Sequence, residues 1–431
     1  MLIAGLVAGL FFPQRIALGF DARESTPGFK RQLIILAAET RSFKRAVIVT
    51  RDVLGWQVDD NTIERLCLDA GAELAAAKES DWKTVLTGEV PVPEVAIVEF
   101  DGGRIRTRKM DCGPGVHLAG KGWNETKNAI FVSATSTTSA SDPQPNPPEC
   151  FLDREHVAKL VVQAKHPEKC ERNENPNACE QAEQEAEAKQ TKPTHKPQRM
   201  LRTVLSSMQK SSKFGQQMLR EAKRRKFFES SRKAFVADGL PCNWKIQQTH
   251  FSGFTPVLDF THAVTYIFEA TVVCFGKSDE AWTTYTRWMT AAWQGRVGEV
   301  IGELKLHQER IGSPPPTATD DDPQEKLRCI IQYIENNCTR MRYEFYRCQG
   351  LPTTSAWVES AVKEVNYRVK GTEMFWNYGE DGEGGRNAAG AEAILQIRSA
   401  GLCDDARLAR FLTHRPGQAH VRRSSHFTHA I

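Results

Sequence analysis

The sequence has no C-x-x-C pair of cysteines anywhere in its 431 residues. It has eleven cysteines, an odd number, and they are spread widely along the chain. Disulfide-stabilised domains and zinc ribbons both depend on regularly spaced cysteine pairs, so neither class of protein is well supported. The cysteine content instead favours a reducing, cytoplasmic environment.

The sequence also has no apolar run long enough to span a bilayer as a helix. Its apolar opening, residues 1–12, is too short for this and has no Lys or Arg before it. A signal peptide or an anchor stays open for this stretch, but we favour a short buried segment or a start with no structural role. We therefore expect no membrane partner.

A strong excess of one charge is missing too. The formal net charge is only +4, although 26% of the residues are charged and 40% are hydrophobic. Such a chain is expected to form two or three globular domains, and a basic binding surface could come only from local clustering. The clearest cluster, Lys223 to Lys226, fits a solvated helix face or a face that contacts phosphates equally well.

The first patterned region is helical. Residues 29–77 carry helical apolar patterns that break at Gly55, and Asn61 with Glu64 resembles a capping box that opens a second helix. Two helices around a turn fit a helix-turn-helix or a plain helical packing module. The acidic character of the second helix argues against a role in reading a DNA groove.

Three strands are predicted next, and the first ends in a carboxylate. Residues 95–101 form an apolar run ending at Asp101, and Gly102-Gly103 predicts a tight turn after it. Residues 104–108 alternate like a returning strand, and residues 123–133 follow as a third strand. The pattern therefore predicts an antiparallel half-sheet.

A later pair of short strands also ends in polar residues. Residues 234–239 end in Asp238 and a glycine, and residues 254–258 lead directly into Asp259. His262 follows three residues later, so the two side chains share one helical turn. Such a pair is more often a structural hydrogen bond than a metal site.

Two long segments are predicted to be helical. Residues 200–232 are basic, and residues 263–349 are rich in aromatic side chains. In the second segment four large side chains fall on one helical stripe, and packing in a core explains them better than stacking on bases. They are Trp282, Tyr285, Met289 and Trp293.

The stretch from Gly350 to Trp376 predicts a helix with two stripes, which Ser355 is placed to cap. The apolar stripe consists of Val358, Val362, Val365 and Val369. A polar stripe about a quarter-turn away consists of Glu359, Lys363, Asn366 and Lys370. Taken alone, this fits a surface helix with a Glu359–Lys363 pair worth a few tenths of a kcal/mol.

Three carboxylates stand out when these segments are considered together: Asp101, Asp238 and Glu359. In a mixed sheet, acids far apart in the sequence can converge near adjacent strand ends. Mg²⁺ takes carboxylate oxygens, and two ions about 4 Å apart stabilise both the attacking and the leaving oxygen of a phosphodiester displacement. Glu99, on the same strand face as Asp101, is the spare candidate ligand.

Six segments in order along the chain carry a family resemblance. They are DGGR from Asp101, GPGVH from Gly113, WNETK from Trp123, ADG from Ala237, LDFTHA from Leu258 and the long block from Gly350 to Trp376. Together they resemble the transposases of ISKra-type insertion sequences, in the Mutator-like branch of the DDE transposases. The resemblance extends from about Leu18 to near Pro416, and its last block is the most specific.

The resemblance implies an α/β fold, in which an RNase H-like mixed sheet flanked by helices is interrupted by an all-α insertion. It also implies that Asp101, Asp238 and Glu359 are the catalytic, metal-binding triad, with two Mg²⁺ or Mn²⁺ ions expected. The activity implied is metal-dependent strand cleavage at the ends of an insertion sequence, followed by 3′-OH strand transfer into target DNA.

By the same resemblance, Asp259 and His262 match an Asp/Cys-x-x-His signature and take an orienting or DNA-contacting role. The residues expected to contact DNA from the third-acid helix are Lys363, Asn366, Arg368 and Lys370. The implied partners are DNA at the element ends and at the target, and further copies of the chain in a homo-oligomer on DNA. The expected location is the bacterial nucleoid.

The chain departs from the family in two places. It has Ser355-Ala356 where related proteins usually have Ser-Gly, and its apolar start replaces a segment that carries paired cysteines in relatives. An N-terminally truncated, non-catalytic DNA-binding relic or regulator therefore stays open as the alternative, as does an RNase H-like nuclease without strand transfer.

The predicted organisation comprises eight regions. They are an apolar start (1–20), a helical or helix-turn-helix region (21–90), the first part of the RNase H-like domain (91–134), a loop and polar insert (135–199), the second part (200–262), the α-helical insertion (263–349), the third part with the catalytic helix (350–405) and a basic tail (406–431).

Overall fold

The structure, a computed structural model, describes residues 25–80, 90–109, 113, 115–165, 194–371, 374–380, 386–387 and 389–415. The apolar start, most of the polar insert and the tail beyond residue 415 lie outside the described residues, and the GPGVH segment lies partly outside them. Within the described ranges, no helix is both long enough and apolar enough to cross a membrane.

The described chain contains both strands and helices. The strands are β1 (Val95–Lys109), β2 (Leu118–Thr135), β3 (Gln198–Ser207), β4 (Arg232–Ala237), β5 (Thr255–Leu258), β6 (Trp376–Glu380) and β7 (Arg386–Asn387). The helices are α1 (Pro27–Glu39), α2 (Phe43–Leu54), α3 (Asp60–Glu79), α4 (Arg154–Lys165), α5 (Ser211–Arg224), α6 (Pro241–His250), α7 (Phe260–Phe275), α8 (Asp279–Trp293), α9 (Val297–Ile311), α10 (Pro323–Asn337), α11 (Tyr343–Cys348), α12 (Ala356–Val369), α13 (Ala389–Gly401) and α14 (Arg407–His414).

A mixed open sheet forms the centre of the molecule, in the order β3-β2-β1-β4-β5. β1 pairs antiparallel with β2 and parallel with β4, and β6 joins the far end of β1 in parallel. Residues 95–98 of β1 are all fully buried, as expected for a central strand covered by helices on both faces. The expectation of a mixed α/β sheet flanked by helices is confirmed at this level.

The predicted hairpin at Gly102-Gly103 is wrong. Both glycines lie inside β1, and the antiparallel partner is β2, which contains the WNETK segment. A Cβ atom on Gly103 would lie 2.5 Å from the Thr126 hydroxyl and 3.7 Å from Val362 of α12. A side chain at position 103 would therefore collide with Thr126 of β2, whereas its distance to α12 is an ordinary van der Waals contact. The dipeptide alone does not distinguish this close packing from a turn.

The prediction that residues 200–232 form one helical segment is also wrong in its first part. Residues 198–207 form β3, which pairs antiparallel with β2, and only residues 211–224 are helical. Five consecutive residues, 203–207, are buried in β3, so the strand lacks the period-two alternation by which exposed strands are recognised.

The basic cluster from Lys223 to Lys226 does not form one surface. Lys223 and Lys226 are exposed, whereas Arg224 and Arg225 are buried. Arg224 donates a hydrogen bond to the Lys78 carbonyl (2.6 Å), and Arg225 donates one to the Ser133 hydroxyl (3.0 Å). Both guanidinium groups therefore link elements within the fold, and neither faces solvent as a phosphate contact would require.

Within residues 25–80, the described part of the N-terminal region, the chain forms helices α1 to α3, and α3 packs along α13. Asp59 caps α3 by accepting a hydrogen bond from the Thr62 amide (2.9 Å), so α3 begins before the predicted capping box at Asn61. The apolar face of α3 is buried in the same core as the sheet and consists of Ile63, Cys67, Ala70 and Leu74. Its role in DNA binding stays a prediction.

Between β5 and α12 the chain is helical, in α7 to α11. The predicted aromatic stripe packs as a core: Tyr285 and Met289 are fully buried, Trp293 is nearly so, and Trp282 packs against them partly buried. This segment also reaches the sheet, because the Tyr343 hydroxyl donates a hydrogen bond to the Leu258 carbonyl of β5 (3.0 Å).

Candidate functional site

Three aspartates occupy adjacent positions at one end of the parallel strands. The last paired residues in the register are Phe100, Ala237 and Leu258 on β1, β4 and β5. The residues that follow these three are Asp101, Asp238 and Asp259. Neighbouring parallel strands present equivalent positions side by side, so the sheet itself brings these carboxylates together.

Asp238 is fixed by the turn that follows β4. Its Oδ1 accepts hydrogen bonds from the Leu240 amide (3.1 Å) and the Asn243 side-chain amide (2.6 Å). Gly239 has a positive φ of 94°, and a Cβ atom there would collide with Tyr333. Tyr333 donates a hydrogen bond from its hydroxyl to the Asp238 carbonyl (2.6 Å), so α10 also holds this turn in place.

Asp101 lies within β1, half-buried, and its Oδ1 accepts a hydrogen bond from the Gly102 amide (2.7 Å). Across the antiparallel ladder it faces Asn128, which is buried and accepts a hydrogen bond from the Ser206 hydroxyl (2.7 Å). Polar side chains from β2 and β3 therefore border the acidic end of the site on one side.

Glu359 arrives from α12, which packs across β1 and β2. Burial raises the pKa of Glu359 to about 8, and the nearby negative charges of Asp259 and Asp101 add to the increase. Burial raises the pKa of Asp101 to about 6, with further contributions from Asp238 and Asp259. The pKa of Asp238 is raised as well, mainly by burial.

We call the three predicted acids the strand-end acids (Asp101, Asp238 and Glu359). Each of their pKa values is raised mainly by burial, and other carboxylates of the site add to the increase. Such clustering of perturbed carboxylates is characteristic of functional sites, since a protein gains no stability from it.

Asp259 and His262 form the second polar pair of the site. Asp259 is fully buried, and its Oδ1 accepts hydrogen bonds from the amides of Thr261 (3.1 Å) and Ser355 (3.2 Å). Its Oδ2 lies 3.8 Å from Nε2 of His262. Asp259 therefore joins the first turn of α7 to the entry of α12, which supports the orienting role expected for it.

His262 lies among the acids. Burial alone would lower its pKa, but the charges of Asp259, Asp238, Asp101 and Glu359 outweigh this and raise it. The cationic form of the imidazole is therefore more favoured than in a free histidine, because the neighbouring carboxylates stabilise it.

The predicted cap of α12 needs correction. Ser355 occupies the N-cap position, but its side chain makes no capping hydrogen bond. The carboxylate of Glu99 accepts the hydrogen bond from the Val358 amide instead, at 2.8 Å. Glu99 is fully buried, so the spare candidate ligand of the sequence has a different contact in the structure.

The residues expected to contact DNA are divided by the fold. Lys363 is exposed one turn after Glu359, and its charge lowers the pKa of that acid slightly. Asn366 is half-buried, and the Lys370 ammonium lies 5.1 Å from the centre of the Trp123 ring. Lys363 and Asn366 lie on α12, whereas Lys370 follows its last residue, Val369, in extended conformation, so the helix does not carry the whole predicted stripe.

Arg368 is a correction to the predicted set. It is almost completely buried, donates a hydrogen bond to the Ala37 carbonyl (2.8 Å) and lies over the Phe43 ring at 4.6 Å. Its guanidinium attaches α12 to the N-terminal helices, and in this position it cannot contact a DNA phosphate.

The donor chemistry of the site fits a hard divalent cation. Asp101, Asp238 and Glu359 offer carboxylate oxygens, and Oδ2 of the neighbouring Asp259 is buried without a hydrogen bond. Among the described residues, no three His, Cys, Asp or Glu side chains already lie in a metal-binding group. Binding of a cation would therefore require these side chains to close around it.

Two residues contribute to the site through contacts with residues far away in the sequence. Tyr333 reaches Asp238 from a helix 95 positions later, and Glu99 reaches Val358 over 259 positions. Only the two-residue period that places Glu99 on the face of Asp101 draws attention to it in advance.

Comparison with known proteins adds no relative. No protein-family model matches the chain, and no curated protein matches it. The function must therefore be argued from the residues of the site and from the motif resemblance.

Proposed function

We propose that this chain is a DDE-type DNA transposase that cleaves DNA at the ends of an insertion sequence and transfers the 3′-OH ends into target DNA. The observation that carries the proposal is the grouping of the strand-end acids. Asp101 and Asp238 occupy adjacent register positions, and α12 brings Glu359 close enough for its charge interaction with Asp101 to raise its pKa.

The sheet supports an RNase H-like assignment for the catalytic domain. Its order, β3-β2-β1-β4-β5, with β2 antiparallel to both neighbours and β1, β4 and β5 mutually parallel, is the arrangement expected of that fold. The helical segment α7 to α11 falls between the second and third acids, where the family resemblance expects an insertion.

Asp101, Asp238 and Glu359 are the residues that would hold Mg²⁺ or Mn²⁺. Bound divalent ions supply activation of the attacking oxygen and stabilisation of the leaving oxygen in phosphodiester displacement. The raised pKa values of Asp101 and Glu359 suit this role. No arginine contributes to either pKa among the described residues, so a cation from solution would stabilise both carboxylates.

The remaining residues of the site orient the substrate and its charges. His262 is favoured as a cation beside the acids, so it can attract the scissile phosphate into a site that is otherwise negative. Lys363 presents a second positive charge one turn along α12, in a position suited to a flanking phosphate. Asp259 holds the two helices that carry His262 and Glu359 in fixed relation.

The test uses the DNA that flanks the reading frame as substrate. We expect Mg²⁺-dependent nicking by the wild-type chain, and a loss of at least about a thousandfold in Asp238→Asn, roughly 4 kcal/mol of barrier. Asp279→Asn is the matched control, because this carboxylate is almost fully exposed in the helical segment. It should cleave like wild type.

Each alternative has its own outcome. Cleavage by Asp238→Asn at the wild-type rate would show that the triad is misassigned. Specific DNA binding that survives loss of all three acids, without cleavage in any divalent ion, would identify a non-catalytic binding protein. Cleavage without joining of pre-cut ends would identify a nuclease that lacks strand transfer.

A further inference from the structure

One face of β1 serves both the strand-end acids and the helix that packs over them. Side chains alternate along a strand, so Glu99, Asp101 and Gly103 lie on the same face. Gly103 is in van der Waals range of Val362 on α12, which shows that this face is the one α12 covers. Glu99 therefore sits between Asp101 and the start of α12.

The contact made by Glu99 is a helix cap supplied from a distant strand. The first amides of a helix have no partner within the helix and are usually satisfied by the side chain at the N-cap. In α12 the N-cap side chain of Ser355 makes no such bond. The Val358 amide donates to Oε2 of Glu99 (2.8 Å) and also to the Ser355 carbonyl (3.1 Å), so the carboxylate adds a second acceptor to this amide. A carboxylate at this end also interacts favourably with the helix dipole.

The capped residue directly precedes the third acid. Val358 is fully buried, so its backbone cannot shift without disturbing the core, and Glu359 is the next residue. Asp259 provides a second tie to the same turn through the Ser355 amide (3.2 Å). The first turn of α12 is thus bonded to Glu99 of β1, the strand that contains Asp101, and to Asp259, which follows β5.

We propose that Glu99 is a positioning residue: by capping α12 from strand β1, it fixes the distance between Glu359 and Asp101. The proposal rests on the proposed function, since that distance matters for catalysis only if the two acids share metal ions. It gives Glu99 a role other than that of spare ligand, through the hydrogen bond that Oε2 accepts from the Val358 amide.

Two substitutions separate positioning from metal ligation. Glu99→Gln keeps an oxygen that can accept the Val358 bond but removes the charge that a metal ligand needs. Glu99→Leu keeps the bulk and removes the acceptor. For a positioning residue we expect Glu99→Gln to keep cleavage within about tenfold of wild type, and Glu99→Leu to lose about a hundredfold, as displacements near 1 Å do.

The loss in Glu99→Leu should fall on kcat with little change in KM for DNA. It should also be smaller in Mn²⁺ than in Mg²⁺, because Mg²⁺ demands near-ideal octahedral geometry. A merely structural loss would lower both metal reactions equally. If Glu99→Gln is as inactive as Glu99→Leu in both metals, Glu99 is a ligand and the proposal is wrong.

Glu392→Leu is the matched control for the loss of a carboxylate that accepts a hydrogen bond from a distant backbone amide. Glu392 accepts hydrogen bonds from the Met208 amide (2.6 Å) and the Ser207 hydroxyl (2.8 Å), and it belongs to α13 rather than to the acid cluster. Its removal should lower the melting temperature without a selective loss of kcat in Mg²⁺. An equal kcat loss in this control would also overturn the proposal.

Hydrogen exchange provides a readout that does not need activity. In Glu99→Leu the Val358 amide should exchange at least about tenfold faster than in wild type, while amides in β4 keep their protection. If wild type cleaves no DNA but this exchange result holds, the cap is real and only the transposase proposal fails. An unchanged exchange rate of the Val358 amide in Glu99→Leu would show that Glu99 neither caps α12 nor positions Glu359.

Discussion

Two groups of carboxylates in this molecule, one fully buried and the other half-buried, have opposite electrostatic environments. Glu221 on α5 is fully buried and accepts two hydrogen bonds from Arg407 (2.6 and 3.0 Å) and one from the Thr203 hydroxyl (2.9 Å). Burial alone would raise its pKa, but Arg407 outweighs this and lowers the pKa of Glu221 to about 2. In the strand-end acids the pKa values are raised instead.

The difference lies in where the compensating charge comes from. Asp405 also bonds Arg407 (2.9 Å), so the acids around Arg407 are neutralised within the fold. Asp101 and Asp238 accept hydrogen bonds from amide groups, and the charge of His262 lowers their pKa values without outweighing burial. A buried acid with its own arginine stabilises structure, whereas several acids around one histidine favour the arrival of an external cation.

The largest expected effect on stability concerns the buried pair of Glu221 and Arg407. Glu221→Gln should lower the free energy of unfolding by about 3 kcal/mol, because it leaves much of the buried Arg407 charge unpaired. Urea denaturation at pH 7 measures this. Glu303→Gln, which breaks a more exposed pair with Arg287, should change the same quantity by less than about 0.5 kcal/mol. Equal effects would show that Glu221 and Arg407 are not a core pair.

Mg²⁺ bound by the strand-end acids should stabilise the folded protein, because the ion would neutralise these carboxylates as Arg407 neutralises Glu221. At about 100 times its Kd, a bound ion adds roughly 2.7 kcal/mol to the free energy of unfolding. Thermal unfolding at pH 8 should therefore shift upwards in Mg²⁺, relative to NaCl of equal ionic strength. Asp238→Asn should abolish the shift, and Glu303→Gln should keep it. A shift that persists in Asp238→Asn would place the ion elsewhere.

The pH dependence of the metal-free protein sharpens the contrast further. The pKa of Glu359 rises from 4.5 to about 8 on folding, so the folded state binds the proton more tightly than the unfolded state does. The stability that this proton provides is present below about pH 4.5 and is lost as the pH rises to about 8. Glu359→Gln should thus be more stable than wild type at pH 8, by about 1 kcal/mol, and nearly equal to it at pH 5.

The measurement is chemical denaturation of both proteins with chelator present, at pH 5 and at pH 8. The contribution of the wild-type Glu221 carboxylate should be equal at these two pH values and should fall only below about pH 4.5. Its pKa is lowered by folding, so the wild-type advantage over the variant is present above about pH 4.5 and is lost as the pH falls towards 2. A Glu359→Gln advantage that does not grow with pH would mean that this acid is not held near others.

The sequence predicted what local pattern and residue chemistry decide. It located Asp238 directly after a strand and Glu359 on a helix, but it ended a strand at Asp101, which lies inside β1. It also located the aromatic core stripe through Tyr285 and Met289. These depend on period and on residue type, which are visible in short windows.

The features that it missed depend on contacts between distant segments. Gly102-Gly103 has the composition of a turn, yet Gly103 lies inside β1, where a Cβ atom would collide with the Thr126 hydroxyl of β2. Glu99 caps Val358 from 259 positions away, and Arg368 turns inward to Ala37 and Phe43 over more than 320 positions. No window of sequence contains both partners of such a contact, so neither role could be read in advance.

The smallest expected effects distinguish two cations of α12. Lys363 is exposed, so Lys363→Ala should weaken DNA binding a few-fold and reduce the slope of log K against log salt by about 1. Arg368→Ala should leave that slope unchanged and instead lower the unfolding free energy, because the buried guanidinium bonds Ala37 and covers Phe43. Binding titrations at several salt concentrations, with urea denaturation of each variant, measure both quantities. A reduced slope in Arg368→Ala at unchanged stability would return Arg368 to the DNA-contacting residues, and would require its burial to be relieved when DNA binds.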